Sequence, residues 1–323
     1  MMSCLRPLLV PALLMAAVSA RAEVAVVLNS GEDTFSVIGI SDYTERSRVP
    51  VGREPHHLML TPDHAELIVA NAVSNDLVFL DPRTGEVRRR LRNISDPYQI
   101  GFTPDRKWFV ATSLRLDRTD IYAYDGHEYR LHARLPTPTM PSHIAFSPDS
   151  RIAFITLQGT DKVAAIDIEG KAILWEAVVG PQPAGILMTP QGTLVTGIMG
   201  RDHIVELDPK EGKVLRKVVT GKGAHNVFAG PDGRLYVTNR LSNTITALDM
   251  TTFRILQTYK GAGGPDCIDF TDDKREMWVT ARWLKSVHVF DVATGELKRT
   301  ISVGRSPHGI SLYKRPVAIG SAQ

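Results

Sequence analysis

Leu235-Tyr236-Val237-Thr238-Asn239, followed by Ser242-Asn243-Thr244-Ile245, decides the fold of this chain. Pro231-Asp232-Gly233 turns the chain ahead of this stretch, and His225 to Ala229 precedes the turn. Thr244 to Asp249 and Phe253 to Tyr259 follow it. Runs rich in valine, isoleucine, threonine and aromatics, separated by glycine, proline, aspartate and asparagine, read as strands. The unit is therefore four short strands. Its turn recurs: Thr61-Pro62-Asp63, Thr103-Pro104-Asp105, Ser147-Pro148-Asp149, Thr189-Pro190-Gln191 and Gly230-Pro231-Asp232, with Thr271-Asp272-Asp273 as a degenerate copy. The spacing is about 42 residues, the period of a propeller blade. Asp81, Asp125, Asp167, Asp208, Asp249 and Asp291 recur in phase, each closing a short apolar run.

Six complete units start near His56, Tyr98, Ser142, Ala184, His225 and Cys267. The termini supply the seventh. Val24 to Asn29, Phe35 to Ile40 and Glu45 to Val49 read as second, third and fourth strands, and Pro307 to Tyr313 as the missing first strand. The expectation is an all-β, seven-bladed β-propeller of four-stranded blades, its terminal blade closed by N- and C-terminal strands. Closure of this kind removes the open sheet edge that invites aggregation. The propeller is expected over 23–314, with a tail at 315–323. Ser113 to Thr119 reads as a longer loop in the third blade.

The stretch around Val237-Thr238-Asn239 resembles the signature of the YVTN-type (YncE-like) propeller repeats. Val69-Ala70-Asn71 with Ser74-Asn75-Asp76, Trp278-Val279-Thr280-Ala281, and Gly304 to Ile310 are similar in phase. The resemblance covers essentially the whole chain after its first 22 residues. It implies the fold; function is argued from the site, because this fold hosts binding proteins, enzymes and scaffolds alike.

Residues 1–22 read as a secretory signal peptide: Arg6, the apolar run Leu8 to Ala17, then Ala20-Arg21-Ala22 ahead of Glu23. The run is too short to span a ~30 Å hydrocarbon core. The expected location is outside the cytoplasm, in a periplasm. Without these residues Lys+Arg falls from 38 to 36 against 35 acids. A net charge near neutral is no footprint for nucleic acid or a membrane surface. Cys267 is the only cysteine left after Cys4 is removed, so no internal disulfide is available. The chain reads as a monomer.

In a propeller blade the first strand is innermost. The loop leading into it and the loop between second and third strands open on one face, where ligands sit. The residues at the start of each first strand are His56, Tyr98, Ser142, Ala184, His225, Asp266 and His308, with His57 and His143 one position later. His225, Asp266, His308 and His56 come from consecutive blades, because the terminal blade sits between the last full unit and the first. Imidazoles and a carboxylate on one arc suit a divalent transition metal, and an axial histidine to a haem-like group is a narrower form of that reading. A solvated polar channel mouth is the simpler alternative. The other loops of this face carry Arg115, Arg201, Arg240 and Arg282, which could orient an anion, and Trp283, which could stack on a flat group. Asn29, Asn71 and Asn239 read as turn residues at strand ends. Arg88-Arg89-Arg90-Leu91-Arg92 falls on an outermost strand, where charge protects an edge. Cys267 reads as a small buried residue, or as a soft ligand were the metal copper.

No Gly-x-Ser-x-Gly elbow, His-Glu-x-x-His helix or phosphate loop occurs in the sequence. The leading expectation is an exported binding or interaction protein. It would present a His/Arg-lined mouth to a small anionic molecule, a metal-bound cofactor or a partner protein. The alternative is a metal-dependent enzyme of lactonase or lyase type, with His225, His308 and His56 holding the metal and Asp266 as ligand or base. Convergence of the imidazole nitrogens separates the two.

Overall fold

The computed structural model describes residues 23–314, so the expected signal peptide and tail lie outside the described residues. Seven four-stranded antiparallel sheets form a ring of blades. The closing blade takes its innermost strand, Pro307–Leu312, from the C-terminal side and Val24–Asn29, Thr34–Gly39 and Glu45–Pro50 from the N-terminal side. Ala25 pairs with Leu312, Val26 with Ser311 and Val27 with Ile310, which joins the two ends of the propeller. The other innermost strands are Pro55–Leu60, Pro97–Phe102, Pro141–Phe146, Pro183–Met188, Ala224–Ala229 and Pro265–Phe270. The only helical turn among the described residues is the short 3-10 segment Gln158–Thr160.

Each blade is packed on both faces, so its middle strands are apolar along their whole length rather than alternating. Leu67–Asn71 and Asp76–Leu80 are buried throughout, whereas the outermost Val87–Arg92 is largely exposed. The core lies between blades. Val26, Leu28, Phe35 and Val37 of the closing blade pack on Leu58, Leu67, Val69 and Val78 of the next. Trp278, Val287 and Val289 pack on Ala25, Val27 and Ile310 on its other side. A fully buried side chain of this size contributes roughly 1.5–3 kcal/mol, and the closing blade collects that term on both faces.

The third blade corrects one expectation. Its second and third strands run Trp108–Ser113 and Arg118–Tyr124, so the loop between them is as short as its counterparts. Thr112, Ser113, Thr119 and Asp120 are buried ladder residues: the hydrophilic composition that reads as loop is that of a strand whose polar side chains are satisfied internally. Thr119, for instance, shares a hydrogen bond with Thr137. The basic run behaves as an edge. Arg88 pairs with Asp81, Arg89 with Glu66 and Arg90 with Asp76.

Candidate functional site

The innermost strands share a local device. The residue before each takes a left-handed φ: Glu54, Asp96, Met140, Gln182, Gly223, Gly264 and Ser306. The next residue pairs with the end of the second strand, and the register then slips between Pro55 and His57, Pro97 and Gln99, Pro141 and Ile144, Pro183 and Ile186, Ala224 and Asn226, and Pro265 and Ile268. The closing blade slips opposite Pro307. A bulge re-aims a side chain and frees a backbone N–H. The residues at the bulge are those at the equivalent sequence position, from His56 round to His308.

A threonine of the second strand holds the bulge in four blades. Thr280 donates to the carbonyl of His308 at 2.7 Å and accepts from the Cys267 N–H at 2.9 Å. Thr112 serves Ser142 and Gln99, and Thr238 serves Asp266 and Asn226, in the same way. Thr156 accepts from His143 N–H and meets the Ser142 hydroxyl. Sequence reasoning singled out the bulge residues but not these threonines. The visible sign was the threonine of Val237-Thr238-Asn239 and Val279-Thr280-Ala281, which reads as ordinary strand propensity.

The aimed side chains close a ring around the channel. His56 stacks on Tyr98 with centroids 3.7 Å apart and lies 3.9 Å from His308. Tyr98 meets His143 edge-on at 6.3 Å, and His143 meets His225 at 5.5 Å, reaching past the blade where the position is Ala184. Asp266 completes the circuit, with His225 Nδ1 at 3.3 Å and His308 Nε2 at 3.5 Å. Both nitrogens lack an aligned hydrogen-bond partner among the described residues. His56 differs: its Nδ1–H donates to the Tyr98 carbonyl at 2.9 Å. Of the four proposed metal ligands, Asp266 thus draws His225 and His308 together, while His56 sits behind His308 with one nitrogen engaged.

Asp266 is fully buried and is the electrostatic centre. Arg240 donates to Oδ1 at 2.7 Å and Arg282 to Oδ2 at 2.8 Å. Burial works against its ionisation, but Arg240, His308, His225 and Arg282 hold it well below the usual carboxylate range. Burial pushes His56, His225 and His308 well below the ordinary imidazole value and His143 down to about 3. Burial also pushes the Tyr98 hydroxyl up to about 12. At neutral pH the cluster therefore holds one carboxylate, two guanidinium groups and neutral rings.

The remaining expected ligand residues separate. Arg115 is bound by Asp96 at 2.7 Å and by Glu54. Arg201 is exposed and Trp283 is 52 % exposed. The asparagines serve strand ends, as Asn29 does for Thr34, Ser36 and Gly304. Cys267 is buried, and its Sγ lies 3.9 Å from His308 Nδ1. The order thiol, imidazole, carboxylate is that of a nucleophilic relay, but burial raises the thiol far above its ordinary value, which keeps it protonated and unreactive.

Two cavities meet at the ring. The outer one, about 390 Å³, is lined by Arg53, Glu54, His56, Tyr98 and Arg282 together with Ser30, Asp33 and Ser306. The inner one, about 200 Å³, lies deeper in the channel among His57, Gln99, His143, Asn226, Cys267 and His308. Arg53 was not anticipated, although it stands in the loop leading into a first strand, the loop family that builds this face.

A model of the YNCE-like beta-propeller family matches residues 3–316. No curated protein matches the chain. Among solved structures, a functionally unknown protein from Desulfotomaculum acetoxidans is 15 % identical with a TM-score of 0.75, covering 90 % of this chain and 99 % of that one. Dihydro-heme d1 dehydrogenase in complex with DHE is 16 % identical with a TM-score of 0.69, covering 90 % and 75 %. A putative 6-phosphogluconolactonase from Bacteroides fragilis is 16 % identical with a TM-score of 0.69, covering 91 % and 98 %. At such identities the likeness is one of fold.

Proposed function

The chain belongs to the YNCE-like β-propeller family, and we propose that it is an exported binding protein whose channel mouth takes a small anion carrying a flat group. The observation that carries this reading is Arg282. It gives one N–H to Asp266 and also lines the outer cavity, together with an exposed Arg53 that has no carboxylate partner among the described residues. The acids of the same cavity are engaged: Asp33 accepts from the Glu54 N–H, and Glu54 pairs with Arg115. The two carboxylates of this lining match its two guanidinium groups in number, but the carboxylates are already hydrogen-bonded, so the donors left to meet a ligand are guanidinium N–H groups. A guanidinium fork recognises carboxylate and phosphate by paired donors. The stacked rings of His56 and Tyr98 supply an apolar floor for a planar group. Export rests on the apolar run Leu8 to Ala17 and the small residues of Ala20-Arg21-Ala22.

Metal-dependent catalysis by the arc is the weaker reading, because both Asp266 oxygens already accept from arginines and a divalent ion would have to displace cations. Calorimetry with a panel of aromatic carboxylates and sugar phosphates tests the proposal. Binding to one site is expected, weakened at least tenfold in Arg282→Gln and unchanged in Arg201→Gln. Equal affinity in Arg282→Gln, or no binding across the panel, would remove the reading.

A further inference from the structure

The inner cavity carries chemistry that the mouth does not use. Its wall holds one thiol and the rings of His56, His57, His143 and His308. Cys267 Sγ and His308 Nδ1 face each other at 3.9 Å, both buried. His57 Nδ1 is buried there without a hydrogen-bond partner among the described residues. Asp266, Cys267 and His308 each offer a ligand atom within 4.8 Å of the others. The carboxylate is held by Arg240 and Arg282, so the free donors are the sulfur and the imidazoles.

We propose that Cys267 and His308 form a soft-metal site that takes a monovalent copper ion from the inner cavity. Thiolate and imidazole bonds of ~2.3 and ~2.0 Å place the two donor atoms ~3.5 Å apart in a tetrahedral zinc site and ~4.3 Å apart in a linear one. The observed 3.9 Å lies between, nearest a three-coordinate or bent two-coordinate ion. Copper(I) accepts such low coordination and prefers sulfur and imidazole; zinc seeks four ligands. Among the described residues Asp266 is the other donor within reach of both, and its oxygens are held by Arg240 and Arg282, so the protein holds the ion through two donors and leaves the third position to the cavity. On binding, the Cys267 S–H bond breaks, a copper–sulfur bond forms and one proton leaves to solvent; the oxidation state of copper is unchanged. Burial and the Asp266 carboxylate keep the free thiol protonated against the pull of Arg240 and Arg282, so it is the metal itself that displaces the proton. The site is independent of the anion reading: it uses the opposite nitrogen of His308 and the other side of the ring.

The test uses the full chain carrying Cys4→Ser, so that Cys267 is the sole thiol, and copper(I) supplied without oxygen from a bathocuproine disulfonate complex. One copper per chain should be withdrawn from the chelator. X-ray absorption at the copper edge should show a single sulfur scatterer with imidazole nitrogen. Cys267→Ala and His308→Gln should each weaken binding at least ~100-fold, and His203→Gln, outside the cavity, should not. Failure to compete with the chelator, a spectrum without sulfur, or retention of copper by Cys267→Ala would each overturn the site. Zinc held more tightly than copper(I) by the same residues would overturn its softness. The sulfur scatterer is read on the chain with both site residues intact, so a variant that misfolds does not shelter the proposal.

Discussion

Arg240 stands in one blade and Asp266 opens the next, yet a guanidinium nitrogen of the first meets Oδ1 of the second at 2.7 Å. Arg282 meets Oδ2 from within the same blade as Asp266 at 2.8 Å. The carboxylate is fully buried and its partners are mostly so. Taking away one member of such a group leaves the others uncompensated. Asp266→Asn should lower unfolding free energy by on the order of 3 kcal/mol at pH 7. A denaturant titration that shows a loss under 1 kcal/mol would mean the arginines are satisfied by solvent instead.

The buried imidazoles make stability depend on pH in a definite direction. His143 is held neutral down to about 3 by burial, whereas in the unfolded chain it titrates near 6.5. Between those values the unfolded chain binds the extra proton, so stability falls as pH falls and is flat above about 7. The slope is about 1.4 kcal/mol per pH unit for each such histidine. Asp266 adds to the loss only in stronger acid: its depressed native value gives stability that is present above the unfolded value of about 3.9 and disappears as pH falls through the folded one. Unfolding measured at pH 7.5, 6 and 5 should show a steep decline, shallower in His143→Gln by the share of one proton. A flat profile would show that these rings protonate in place.

Gly264 packs under Trp283. Its φ is +70°, and a Cβ added there would stand 2.5 Å from the indole, which is half exposed. Gly264→Ala combines a left-handed backbone with that clash. It should cost at least ~1 kcal/mol and shift the emission of Trp283, read in a variant whose other tryptophans are replaced by phenylalanine. An unchanged spectrum and stability would place the indole away from the glycine.

How much of this was legible in the sequence depends on the kind of interaction. The period, the strands and the closing blade follow from turn triplets and apolar runs, which are local. The arc of His225, Asp266, His308 and His56 follows from equivalence of position, because the bulge recurs wherever the repeat recurs. The fate of the arginines does not follow. Arg115 and Arg240 occupy equivalent loops, but Arg115 finds Asp96 and Glu54 whereas Arg240 finds Asp266, a difference set by neighbouring blades. His143 reaching His225 likewise depends on Ala184 being small in the blade between them. Ser113 to Thr119 misled because polar strand residues satisfied by side-chain partners look like loop until the partners are known.

The second-strand threonines offer the sharpest contrast, because the same side chain meets two environments at neighbouring positions of the strand. Thr280 Oγ1 accepts from the Cys267 N–H and donates to the His308 carbonyl, two backbone groups that the register slip leaves outside the ladder. In the blade where Gly197 takes that position, Thr196 stands one residue earlier in the second strand, and its Oγ1 is buried with no partner among the described residues. Valine keeps the shape of threonine and removes only the hydroxyl. Thr280→Val strands a buried donor and acceptor and should cost about 1–3 kcal/mol, whereas Thr196→Val removes an unsatisfied group and should be neutral or stabilising. The backbone around His308 should loosen in the first variant alone, seen as faster amide exchange at Cys267. Equal losses in both variants would mean that the threonines act through packing and that the bulge holds its own geometry.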